Sequence, residues 1–202
     1  MARLILIRHG ESLANAERRF THGPHEPLSR RGREEATERA RSVASRFDPV
    51  AIYASPFVRA LETARLIGAV LGLEPIVVDA LCEQDFGGLR GQPYESVARD
   101  PLWHSDRWRF RPLGGETLEE VGRRAGPALD EIAARHLGSE IVVVSHGGVM
   151  ASLHAWIRTR RFEGAPRLSG NAAGYVVTWR SAGYEGPFEL EAEPDDGEAI
   201  LG

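Results

Sequence analysis

Short apolar runs that each lead toward a stretch of helical period constrain this chain more than any other feature of it. Arg3 to Ile7 is a strand-sized run, and Glu11 to Arg18 follows with Ser12 placed to cap a helix. Arg19 to Leu28, rich in glycine, proline and histidine, has no period and reads as a loop. Ser29 can cap the next helix, in which Ala36, Ala40, Val43, Ala44 and Phe47 recur on one face while arginines and glutamates fill the other. Val50 to Ala54 is a second strand, and beyond Ser55-Pro56 the residues Ala60, Ala64, Ile67 and Leu71 share one side of a helix. Ile76 to Val78 is a third strand, and Thr117 to Leu137 a long amphipathic helix. Ile141 to Ser145 is a fourth strand, running through His146-Gly147-Gly148 into a helix over Val149 to Arg158. Tyr175 to Trp179 and Phe188 to Ala192 predict late strands that extend the sheet at an edge. The alternation predicts an α/β fold, a mostly parallel sheet with helices on both faces. His136 and His154 are expected on exposed helix faces.

With 202 residues, 42% of them hydrophobic, the chain can bury one substantial core, so a single domain over 1–202 is expected. Within it, 94–113 reads as a specificity segment and the acidic stretch 193–202 as a loose tail. The apolar runs are too short to cross a bilayer or form a signal-peptide core, so no membrane association is expected. A net charge of -4 argues against nucleic acid as a partner. Cys82 is the one cysteine, which excludes an internal disulfide and fits a reducing, cytoplasmic setting. All 25 basic side chains are arginines, each a permanently charged planar fork suited to phosphate.

In an open parallel sheet, ligands collect beyond the carboxyl ends of the strands. Arg8 and His9 follow the first strand, Arg59 follows the second at the start of its helix, Glu83 comes after the third and His146 after the fourth. A phosphoryl group needs positive charge on its equatorial oxygens, with a nucleophile and a leaving-group acid in line. Two arginines, two histidines and a carboxylate supply each part. Helix amino ends at Gly10 to Ser12 and Gly147-Gly148 would add backbone donors. A metal held by His9, His146 and Glu83 would set two arginines against the cation, so neither metal nor other cofactor is expected.

The stretch Leu6-Ile7-Arg8-His9-Gly10-Glu11-Ser12, followed by Asn15, resembles the opening signature of the histidine phosphatase superfamily, the phosphoglycerate mutase-like proteins. Pro27-Leu28-Ser29 with Gly32, Ser55-Pro56 with Arg59, Thr63 and Ala64, and Leu81-Cys82-Glu83 through Gly91 are similar to its later motifs in the same order. Gly115-Glu116-Thr117 and Val144 to Gly148 complete the resemblance. It implies a three-layer sandwich and a phosphatase in which His9 becomes a phosphohistidine and Glu83 is the proton donor. Arg8, Arg59, Asn15, His146 and Gly147 would then hold the phosphate. Asn15 has a second reading, as the cap of its own short helix. Asp85 competes with Glu83 for the acid role. Thr21-His22-Gly23 and His25-Glu26 depart from the family's usual pattern in the loop before the second helix, so a substrate contact for His22 is an open expectation.

A small phosphorylated metabolite is the expected substrate, with a homodimer as a further expectation from the resemblance. A cofactor-dependent phosphoglycerate mutase is the alternative. Relatives of that kind carry extra sequence between the acid loop and the last motif, where this chain has only Gly91 to Leu113. A catalytically silent phospholigand-binding module is a third reading. Trp103, His104, Arg107, Trp108, Arg109, Phe110 and Arg111 form an aromatic and basic mixture that either roofs the pocket or packs the segment onto the domain. On the first reading Trp108 and Arg111 are substrate contacts.

Overall fold

The computed structural model describes residues 1–180 and 183–190. In chain order it places β1 at Ala2–Arg8, α1 at Leu13–Ala16, α2 at Arg30–Arg46, β2 at Pro49–Ala54, α3 at Val58–Leu71 and β3 at Pro75–Val77. These are followed by α4 at Pro101–Ser105, α5 at Leu118–Arg135, β4 at Glu140–Ser145, α6 at Gly147–Arg158, β5 at Gly174–Arg180 and β6 at Gly183–Glu189. The strands form one sheet in the order β3-β2-β4-β1-β5-β6. The first four are mutually parallel, whereas β5 and β6 are antiparallel additions at one side. The α/β architecture is therefore mostly parallel, with the late strands extending an edge.

Alternation along the central strands decides which core each residue enters. Leu4, Leu6, Tyr53, Ile141 and Val143 pack under Val121, Leu129 and Met150 of α5 and α6. Ile5, Ile7, Ile52, Val142 and Val144 face the other way, onto Ala40 and Val43 of α2 and Ala64 and Ile67 of α3. Both faces are covered, which gives the three layers. A third cluster, Phe20, Phe86, Tyr94, Val97, Trp103 and Phe110, joins the loop after α1 to the segment before α5.

Helix starts follow the local capping chemistry. Ser29 accepts from the Gly32 N–H, and Thr117 and Glu120 form a reciprocal capping box at the head of α5. Ser12 also caps as expected, but α1 is a single turn and does not reach Arg18. Arg18 stands at φ 53, a left-handed conformation that turns the chain out of the helix. The last strand lies earlier than its apolar run, at Gly183–Glu189, while Ala192 and the expected tail at 193–202 fall outside the described residues. His136 and His154 are half-buried rather than exposed, since His136 Nε2 bonds the Tyr53 hydroxyl at 2.8 Å and the His154 ring packs on Tyr175. Among the described residues no helix is long and apolar enough to cross a membrane.

Candidate active site

Because β2, β4 and β1 are neighbours in the sheet, the residues just beyond their carboxyl ends meet. Arg8 and His9 end β1, Ser55 follows β2 with Arg59 in the first turn of α3, and His146 follows β4 as the amino cap of α6. Glu83 reaches the same place from the loop after β3. Arg8, His9, Arg59, Glu83 and His146 are each at most 3% exposed, an unusual density of ionisable groups for a protein interior.

The loop carrying His9 is locked by close backbone packing. A Cβ on Gly10 would strike the Gly32 carbonyl oxygen, and one on Gly32 would strike that of Glu11, so the loop crosses the first turn of α2 backbone to backbone. The Gly10 N–H donates to Thr63 Oγ1 at 3.2 Å, and the Glu11 N–H to Glu35 Oε2 at 2.8 Å. Ser29 Oγ donates to Glu11 Oε1 at 2.6 Å.

His9 is oriented from both ring nitrogens. Its Nδ1 lies 2.6 Å from the Gly10 carbonyl oxygen, which accepts only, so Nδ1 carries the hydrogen. Its Nε2, left with the lone pair, accepts from Arg59 Nε at 3.1 Å. Burial, then the charges of Arg59 and Arg8, hold the His9 pKa well below the usual imidazole value, against the small opposing effect of the Gly10 bond. The ring is therefore neutral near pH 7, with its nucleophilic nitrogen facing the guanidinium of Arg59. That guanidinium also donates through Nη1 to Thr21 Oγ1 at 3.4 Å and to the Gly23 carbonyl at 3.3 Å. Burial pushes its own pKa down to about 10.

His146 stands edge-on to His9, with ring centroids 5.1 Å apart, and its Nε2 is 2.7 Å from Ser55 Oγ. Ser55 Oγ also accepts from the Phe57 N–H at 3.2 Å, which ties the His146 ring to the turn at the head of α3. The other ring nitrogen, Nδ1, is buried without a hydrogen-bond partner in the protein. Burial, then the charges of Arg59, His9 and Arg8, keep His146 neutral as well, so the pocket's standing charge comes from arginine.

Glu83 lies across the pocket against the amino end of α6. Its Oε1 accepts from the Gln84 N–H at 2.8 Å and its Oε2 from the Gly148 N–H at 3.4 Å. A Cβ on Gly148 would sit 2.7 Å from Glu83 Oε1, so glycine there permits the close approach. Burial raises the Glu83 pKa, while Arg59, the Gln84 N–H, Arg8 and the Gly148 N–H pull it back. The result is a carboxyl that stays protonated to higher pH than usual. Asp85, its rival, lines the same cleft but is half-exposed, and its Oδ1 is taken by the Gly87 N–H and Arg90 at 2.8 and 2.7 Å.

Asn15 realises its capping reading: Oδ1 accepts from the Ser12 N–H and hydroxyl, and Nδ2 donates to the Tyr94 hydroxyl at 3.2 Å, which leaves one amide hydrogen of Nδ2. Gly147 opens α6 and is buried beside His146. The three expected substrate contacts are not brought in. Trp108 is 2% exposed, packed on Phe162 and Leu118, with its indole N–H donated to the Gly164 carbonyl at 2.8 Å. Arg111 is exposed and paired with Glu120 at 2.5 Å. His22 is exposed with its ring over Gly91. None of the three lines the cleft of about 270 Å³ that opens onto Glu83 between Thr21, Pro24, Phe57, Cys82, Gln84 and Arg124.

Several residues of the site carried no signal in the sequence. Arg124 of α5 forms a two-point pair with Glu116 and donates to the carbonyls of Ala80 and Glu83 at 2.7 and 3.1 Å, clamping the acid loop. Tyr94 backs Asn15, and Gln84 fills the cleft wall with Nε2 bonded to the Glu116 carbonyl at 2.6 Å. Cys82 lines the cleft half-buried, and burial raises its thiol pKa, so it stays protonated. Among the described residues no group of three or more histidine, cysteine, aspartate or glutamate side chains is arranged to hold a metal ion.

Residues 4–186 match the model of the histidine phosphatase superfamily, branch 1. The chain is 32% identical over 184 residues to a metal-independent phosphoserine phosphatase of Arabidopsis thaliana, covering 88% of this chain and 76% of the relative. It is 33% identical over 181 residues to a glucosyl-3-phosphoglycerate phosphatase of Mycolicibacterium vanbaalenii, covering 83% and 79%. The solved structure of a mycobacterial glucosyl-3-phosphoglycerate phosphatase in complex with VO3 superposes with a TM-score of 0.80 at 28% identity, over 91% of this chain and 96% of that one. By motif, match and fold, this chain belongs to the histidine phosphatase superfamily.

Proposed function

We propose that the chain hydrolyses small phosphomonoesters in two steps through a phosphohistidine on His9. The observation that carries this reading is the double anchoring of one imidazole, Nδ1 against the Gly10 carbonyl at 2.6 Å and Nε2 against Arg59 at 3.1 Å. That arrangement fixes the tautomer and presents a lone pair at the centre of a cationic pocket.

In the first step the Nε2 lone pair attacks phosphorus, the ester P–O bond breaks, and the departing oxygen takes the proton of Glu83. Arg59 releases Nε2 and, with Arg8, the remaining amide hydrogen of Asn15, His146 and the N–H groups at Gly147, engages the phosphoryl oxygens. In the second step the Glu83 carboxylate takes a proton from water, whose oxygen attacks phosphorus. The N–P bond breaks, phosphate leaves, and His9 and Glu83 return to their first states. No step calls on a metal.

The substrate class follows the relatives, named for phosphoserine and glucosyl-3-phosphoglycerate, both small phosphorylated metabolites. One cysteine and an unpaired thiol support a reducing, cytoplasmic setting for the reaction. Phosphate release from p-nitrophenyl phosphate tests the reading, with His9→Ala expected to lose about 10³-fold or more. Brief incubation with a labelled donor should leave an acid-labile, alkali-stable adduct on residue 9. Full activity of His9→Ala overturns the proposal. Turnover of 3-phosphoglycerate primed with bisphosphate to its isomer, without phosphate release, replaces hydrolysis by the mutase reading. Tight phosphate binding without any turnover replaces it by the binding-module reading.

A further inference from the structure

The backbone of the nucleophile is tied to a segment that supplies no side chain to the pocket. β5 joins β1 in antiparallel register, Gly174 against Ile7, and the pairing runs on past both strand ends. The Arg8 N–H donates to the Ala173 carbonyl at 2.9 Å and the Ala172 N–H to the His9 carbonyl at 3.0 Å. Arg8 Nη1 adds a bond to the Ser169 carbonyl at 2.5 Å. The turn 169–173 is thus a strap fastened to both Arg8 and His9.

Ala172 is the weak point of that strap. It stands at φ 53, left-handed, where an antiparallel ladder asks for about −140° and where a residue with a Cβ is strained. At 5% exposure its carbonyl, turned out of the ladder, has little water to meet. It is met by Arg39 in the middle of α2, whose Nε donates to it at 2.7 Å. Arg39 is half-buried and makes no ion pair with any described residue. Burial, then the charge of Arg46, lowers its pKa against the pull of Glu38. Covering apolar surface with its stem would call for no donor, and a leucine or methionine would do so without half-burying a charge.

We propose that Arg39 is a positioning residue for phosphoryl transfer. Its Nε–H holds Ala172 in the left-handed turn and so, through the bonds from Ala172 to His9 and from Arg8 to Ala173, sets the backbone that aims the imidazole and the arginine fork. The inference rests on the phosphatase reading and extends it from residues that meet the phosphoryl group to one that does not. Because a small displacement of a nucleophile is costly in rate, the effect belongs to kcat more than to KM.

Isosteric substitutions separate the bond from the charge. Glutamine carries its amide nitrogen as far along the side chain as arginine carries Nε, and methionine has a methyl at that place. In Arg39→Met, kcat on p-nitrophenyl phosphate is expected to fall about tenfold, with KM within about threefold of wild type, and in Arg39→Gln most of the loss should be recovered. Glycine takes the left-handed conformation without penalty, so in an Ala172→Gly background adding Arg39→Met should cost less than about threefold. If Arg39→Met does not fold, Arg39→Lys, which keeps the charge but has no donor at that place, carries the comparison and is expected to fall below Arg39→Gln in kcat. Three results overturn the proposal: a lowered urea midpoint with kcat per folded molecule unchanged, an Arg39→Gln as impaired as Arg39→Met, or an equal loss in both backgrounds. A wild type inert on every ester sinks the phosphatase reading instead. The strap is then read from the ring 15N resonances of His9, which should shift in Arg39→Met and return in Arg39→Gln, and resonances that stay in place overturn it.

Discussion

At the scale of single residues, the site separates two groups whose pKa values are pushed toward each other. His9 is held below its usual value by burial and two arginines, and Glu83 above its usual value by burial. The nucleophile must be neutral and the acid protonated, so both conditions hold together only between those two shifted values. We expect kcat/KM to fall on the alkaline limb, as pH rises past the raised pKa of Glu83 and the group loses its proton. In Glu83→Gln the activity on esters with poor leaving groups should drop about 10²- to 10⁴-fold, and the alkaline limb should disappear. A pH profile of that variant with an unchanged alkaline limb would assign the proton to another group. Four of the residues concerned were legible before the structure, because Arg8, His9, Arg59 and His146 stand just past strand-sized runs, and strand ends converge. Trp108 and Arg111 were misplaced for a physical reason: sequence shows that 94–113 is aromatic and basic, but not which rings are taken by Phe162 or which arginines by Glu120.

At the scale of elements, the β1–α1 loop depends on α2 through two glycines in contact. Gly32→Ala drives a methyl into the Glu11 carbonyl, and backbone can yield only by shifting the loop that carries His9. We expect a loss of about 1–3 kcal/mol, read as a lowered urea midpoint, together with a fall in kcat larger than the change in KM. Caps and periods made the elements readable: Ser12, Ser29 and Thr117 each bond the amide three residues on, a purely local event. The aromatic cluster of Phe20, Phe86, Tyr94, Trp103 and Phe110 was not readable, since it is held by contacts between segments far apart in the chain. The same holds for the Arg124 clamp, whose acceptors at Ala80 and Glu83 lie more than forty positions away.

At the scale of the whole molecule, burying two neutral histidines makes stability depend on pH. Unfolded, each takes a proton as pH falls through 6.5, whereas in the folded protein both resist it, so acidification below that value favours the unfolded chain. Glu83 works in the opposite sense, since its raised value favours the folded state as pH falls toward 4.5. The histidine share is read by difference: in chemical denaturation between pH 7 and 5 the wild type should lose more stability than His9→Ala does. The crowding of Arg8 and Arg59 around His9 has a last consequence, which concerns heat rather than turnover. An oxyanion entering between those guanidiniums relieves their mutual repulsion only in the folded state, so orthophosphate at a hundred times its Kd should add about 2.7 kcal/mol of stability. The melting temperature thus becomes a gauge of occupancy, able to rank unreactive oxyanions and slow esters alike, even in a variant stripped of its nucleophile.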